Sequence, residues 1–169
     1  MHQAISWLSA QLPAMEAALA ELVAINSFSA DRHGCNRVAA KLAQLFQISD
    51  LSVERIDGQS SGDHLVVRSA GRSDVSAILL VGHLDTVFRP GTFEGYRIDG
   101  DRRRGPGVLD MKGGLVVIAW AVKAIAQITS WADLPSLRVV VVSDEEIGSP
   151  EGREVVMREA KGCGACLVF

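Results

Sequence analysis

Three short stretches carry the side chains that could do chemistry. GHLDT (82–86) sets His83 and Asp85 two residues apart directly after an apolar run. GPGVLDMKGG (105–114) places Asp110 and Lys112 among glycines, and VVVVSDEEIGS (139–149) runs four valines into Asp144, Glu145 and Glu146. Residues two apart on an extended chain face the same way, so the His83 imidazole and the Asp85 carboxylate share a side. That pairing suits a metal-bound histidine whose second ring nitrogen is held by a carboxylate, which fixes the tautomer. One imidazole with several carboxylates and no cysteine is a donor set for zinc or a similar divalent ion. A cation would also account for acids crowding the end of an apolar strand, where their charges repel. Each stretch has an ordinary reading too: His83 as a hydrogen-bonded core histidine, Asp110 as a helix N-cap, the acids as a solvated loop. A phosphate cradle lacks support, because neither G-x-G-x-x-G nor G-x-x-x-x-G-K-[ST] is present.

The elements that must position these residues read as follows. Pro13 suits the first turn of a helix running to about Ile25, and a second helix ends near Phe46. The period then changes. LSVERI, HLVVRSA and AILLVGH are short β-rich runs bounded by the turn chemistry of GQSSGD and GRSD. Gly113–Ile128 is a helix apolar nearly all round, with Gly113 and Gly114 permitting close backbone approach at its start. LRVVVV is a central strand, Glu151–Lys161 an amphipathic helix, and ACLVF the start of another strand. Strands alternating with helices predict an α/β fold, three layers (α/β/α) around a mostly parallel central sheet. In such a sheet the loops at the carboxyl ends of the strands gather into one crevice, which would bring the three stretches together.

Bulk properties narrow the function classes. The 169 residues suffice for one domain, and 48% hydrophobic content argues against disorder. A net charge of −3 gives no sign of a nucleic-acid or anionic-membrane partner. Arg102–Arg104, the one dense basic cluster, lies between turn residues and reads as a solvated turn. Cys35, Cys163 and Cys166 are too few and too unevenly placed for a disulfide framework, which fits a reducing, cytoplasmic setting. Cys163 and Cys166 have C-x-x-C spacing but no second pair or histidine near them. The apolar run Leu115–Val122 stops at Lys123, short of the ~18 residues a membrane helix needs. The chain ends on Phe169 within an apparent strand, which reads as a cut rather than a domain boundary.

HLDTV, GPGVLDMKGG and SDEEIGS, in this order and spacing, resemble the di-zinc aminoacylase/carboxypeptidase family, which includes glutamate carboxypeptidases, acetylornithine deacetylase and succinyl-diaminopimelate desuccinylase. The match is strong over about residues 75–169, and the helical N-terminus agrees in character. The resemblance implies two zinc ions, with cobalt or manganese as substitutes. It implies His83 on one zinc, Asp110 bridging both, Glu146 on the second, Asp85 orienting His83, and Glu145 as general base. A cis peptide between Asp110 and Met111 is implied as well. The substrate would be a small peptide or an N-acyl amino acid, cleaved at an amide bond, with a homo-oligomer as the assembly. The family also uses a further acidic ligand at the end of the next strand and a late histidine, following an inserted dimerisation domain. Neither ligand is present; His2, His33 and His64 fall outside the motifs. Residues 1–169 are therefore expected to be the N-terminal part of one catalytic domain, truncated and inactive alone. The alternative is a non-catalytic α/β module that binds a partner or assembles with itself.

Overall fold

The structure is a computed structural model that describes residues 2–169. Leu137–Val142 (β6) illustrates how the architecture follows from the residues. Val139 and Val141 enter one apolar cluster and Val140 and Val142 another, all four essentially inaccessible. Because side chains alternate across a strand, a run without polar residues serves two faces at once. Ala77–His83 (β3) divides in the same way, Leu80 to the first cluster and Leu79 to the second. So does His64–Ser69 (β2), with Leu65 and Val67 opposite Val66.

With Leu51–Ile56 (β1) and Cys163–Val168 (β7), these strands form one sheet in the order β1-β2-β6-β3-β7. β3 is parallel to both β6 and β7, whereas β2 is antiparallel to β6 and to β1. Four of the five strands thus run one way and only β2 opposes them, so the sheet is mostly parallel, as expected. Helices His2–Val23 (α1), Arg32–Leu45 (α2) and Lys112–Ile128 (α3) cover the first face. Gly152–Glu159 (α4) covers the second through Val155, completing three layers. α2 shows the local logic well. Asp31 caps it by accepting the Gly34 N–H at 3.0 Å, and Cys35, Val38, Ala39 and Leu42 recur at helical spacing on its buried side.

Two expectations need correction. α1 starts well before Pro13, which lies inside the helix. Trp7 and Leu8 pack against the core ahead of the proline. Pro13 itself is exposed, so the carbonyl deprived of its helical partner faces water. The arginine cluster is a strand: Arg97–Asp99 (β4) and Arg102–Arg104 (β5) form an antiparallel hairpin, and Arg103 bonds Glu16 of α1 through Nε at 2.5 Å. Three-residue strands are too short to leave an alternation pattern.

The register fixes the site. His83 at the end of β3 pairs with Val142 at the end of β6, and the Leu84 N–H donates to the Val142 carbonyl at 2.8 Å. The following loops therefore leave the sheet side by side. The start of α3 is drawn in from below, with the His83 N–H reaching Met111 Sδ at 3.0 Å. Gly82 gives it room, since a Cβ there would push the tip of the Met111 side chain aside. Gly113 is the more constrained, because a Cβ would overlap the Val108 backbone carbonyl, which matches the close approach expected.

Candidate metal centre

His83 is only 6% exposed and carries partners on both ring nitrogens. Nε2 lies 3.0 Å from Asp110 Oδ1, and Nδ1 lies 3.1 Å from the Asp85 carbonyl and 3.3 Å from Asp85 Oδ1. Asp110 arrives from the turn before α3, and Glu146 from a 3-10 turn, Glu145–Ile147, after β6. One donor atom from each of His83, Asp110 and Glu146 lies within 4.8 Å of the others. Three stretches distant in sequence thus meet at one point.

The three acids of the motif have three different environments. Asp144 is fully buried, and its Oδ2 accepts the N–H groups of Glu151 (2.8 Å) and Gly152 (3.0 Å) where α4 begins. Glu146 is half-buried within the cluster. Glu145 is 54% exposed, with Oε2 3.9 Å from His83 Nε2. Asp110 does not cap α3, which has no side-chain cap; its carboxylate turns to His83 instead. The Asp110–Met111 peptide is cis.

Asp85 is fully buried beneath this cluster. Oδ1 accepts from the Glu145 N–H at 3.1 Å, and Oδ2 from the Glu146 N–H at 3.2 Å and from Ser29 Oγ at 2.7 Å. Sequence reasoning gave Ser29 no role, and a serine in a polar loop offers no signal. Lys112 is a second residue whose part only the structure shows. It is fully buried and donates to the carbonyls of Leu22 (3.0 Å) and Ile25 (2.7 Å), where α1 ends. Burial pulls its ammonium down to about 8. Here a signal existed: a cation in the first turn of an apolar helix opposes the helix dipole and calls for a specific partner. His64 is buried apart from the cluster, its Nδ1 accepting the Ser143 N–H at 3.2 Å, and His33 is exposed.

The electrostatics favour a cation. Burial opposes a charged His83 ring, but the carboxylates of Asp85 and Asp110 outweigh it and push His83 up to about 9. Nε2, the ring atom that meets Asp110, is the one a cation in this cluster would take. Burial, then the charges of Asp110, Asp85 and Glu145 only partly offset by His83, pushes Glu146 above the usual carboxylate range. Burial also opposes the Asp85 charge, yet hydrogen bonds from His83 and Ser29 hold it below that range. A nitrogen and two carboxylates converging under mutual repulsion fit a hard or borderline divalent ion. A cavity of about 420 Å³, lined by His83, Asp110 and Glu145 and by apolar Val81, Val156 and Phe169, opens beside the cluster. That volume is in the range of small-molecule sites, ~300–1,000 Å³. Among the described residues the cysteines are free, and burial pushes the Cys35 thiol up to about 12. None of the described helices is long and apolar enough to cross a membrane.

The family model "Peptidase family M20/M25/M40" matches residues 79–168, which include all three motifs. The chain belongs to this family. It is 31% identical to carboxypeptidase G2 of Pseudomonas sp. (strain RS-16) over 161 residues, 93% of this chain and 38% of the relative. Human carnosine dipeptidase 1 superposes with a TM-score of 0.85 at 19% identity, covering 99% of this chain and 40% of that one. The M20 family metallo-carboxypeptidase Sso-CP2 of Sulfolobus solfataricus gives 0.73 at 16% identity, covering 91% and 36%. The chain thus spans about two fifths of the length of these relatives.

Proposed function

We propose that this chain is the metal-binding, N-terminal part of a zinc-dependent hydrolase that cleaves an amide bond in a small peptide or N-acyl amino acid. The observation that carries the reading is the convergence of His83, Asp110 and Glu146 within 4.8 Å, with Glu145 beside them. Family membership supports it, as do relatives described as a carboxypeptidase, a dipeptidase and a metallo-carboxypeptidase.

His83, Asp110 and Glu146 would hold two zinc ions. When bound, such ions act as Lewis acids toward the substrate carbonyl and acidify water. The residues supply the rest. Asp85 holds Nδ1 of His83 and so directs Nε2 outward. Glu145, exposed and outside the donor triad, takes the proton from the attacking water and delivers it to the departing amine nitrogen. Adjacent carboxylates divide the work because a ligand stays ionised while an unligated neighbour is free to cycle.

A catalytic zinc normally has three protein ligands and a water. Sharing three residues between two ions falls short of that, so residues 1–169 alone are expected to bind zinc yet turn over little substrate. The test is zinc titration of the purified chain while hydrolysis of N-acyl amino acids and of peptides ending in glutamate is followed. Zinc uptake abolished by His83→Ala supports the centre, and uptake indifferent to that change refutes it. Sustained turnover lost in Glu145→Gln would overturn the expected inactivity of the isolated chain.

A further inference from the structure

The buried carboxylate of Asp85 takes four donors, and they come from different parts of the molecule. Two are the amides of Glu145 and Glu146, so Asp85 sets the distance between His83 and the acid turn. A third is the His83 ring. Ser29 Oγ, at 2.7 Å the shortest, is the one donor from outside the three motifs. The terminal torsion of an aspartate is broad, without one sharply preferred value. A fourth, well-placed donor therefore fixes the plane of the carboxylate, and with it the His83 ring and the acid turn.

The segment that carries Ser29 is fastened along its length. The Ser29 N–H donates to the Thr86 carbonyl (3.1 Å), the Thr86 N–H to the Ser27 carbonyl (2.8 Å), and Ser27 Oγ to the Leu84 carbonyl (2.8 Å). Its base is held by Lys112, next but one to Asp110, through the carbonyls of Leu22 and Ile25. Residues 22–29 thus connect to the His83 loop and the Asp110 turn directly, and to the acid turn through Asp85.

We propose that Ser29 is a positioning residue which, acting through Asp85, sets the geometry in which His83, Asp110 and Glu146 take a metal ion; this rests on the metal-centre reading above. The experiment is chelator competition for zinc with the 169-residue chain, comparing wild type with Ser29→Ala, Ser29→Thr and Ser27→Ala. Ser27 is equally buried and loses the same atom, but its hydroxyl serves a backbone carbonyl rather than Asp85. Ser29→Ala should weaken zinc binding about tenfold, as losses behind metal ligands do, while Ser29→Thr and Ser27→Ala stay close to wild type. Wild-type affinity in Ser29→Ala overturns the proposal. Equal weakening in Ser29→Thr or Ser27→Ala overturns it too, because packing rather than the hydroxyl is then responsible. A Ser29→Ala chain that fails to fold assigns Ser29 to the scaffold, with the same consequence. Wild-type protein that takes up no zinc refutes the metal centre itself, and the role of Ser29 falls with it.

Discussion

Asp85 and Asp144 occupy matching places, each two residues beyond the end of neighbouring parallel strands, β3 and β6, and both are fully buried. Their partners differ. Asp85 gathers donors from the α1 loop, from His83 and from the amides of Glu145 and Glu146. Asp144 takes the amides of Glu151 and Gly152, which belong to the otherwise unpaired first turn of α4. One aspartate joins the parts of a site to each other, and the other ties the strand end to a packing helix. The same residue type, burial and strand offset do not decide which job is done; the donors that tertiary packing delivers do.

Exchanging the two roles is the most severe test of that contrast. Asp85→Ala should weaken zinc binding by about 10–100-fold, read by chelator competition. Asp144→Ala should leave zinc binding nearly intact and lower the free energy of urea unfolding by about 1–3 kcal/mol, because buried amides lose their acceptor. A reversed pattern would break the comparison.

A pH series on metal-free protein sharpens it further. His83 is raised to about 9, so its pairing with Asp85 and Asp110 stabilises the site fully below its ordinary value of about 6.5. That contribution is lost as pH rises through 9. Near α4 the sign is opposite. Hydrogen bonds from Arg68 hold the buried Glu159 below the usual range, at 2.7 and 2.9 Å. Its contribution is present above the ordinary carboxylate value of about 4.3 and lost as pH falls through the lowered one. Denaturant midpoints should therefore decline on both sides of neutrality, with His83→Gln removing the alkaline decline and Glu159→Gln reducing the acid one.

The smallest effect sets the baseline. Arg32 and Asp57 form an ion pair with side chains 47% and 71% exposed, so Arg32→Ala should change unfolding by less than about 1 kcal/mol. A larger loss would mean that burial is not what distinguishes Asp85 and Asp144 from surface charges.

The sequence by itself determined the longer strands and helices and the valine run as a central strand, and the resemblance carried by its three motifs singled out His83, Asp110 and Glu146 as candidate donors. The elements are matters of local periodicity, legible wherever they are long enough to repeat, and the donors are a matter of motif. Without that resemblance, residue types alone could not separate the jobs of Asp144, Glu145 and Glu146, and nothing in the sequence placed the start of α1 ahead of Pro13 or singled out Ser29. Tertiary structure decided these, because each depends on partners from remote segments: Asp144 on α4, Trp7 and Leu8 on the core, Ser29 on the carboxylate of Asp85. Which donor meets a buried acceptor is fixed only when the register of β3 against β6 brings their loops side by side.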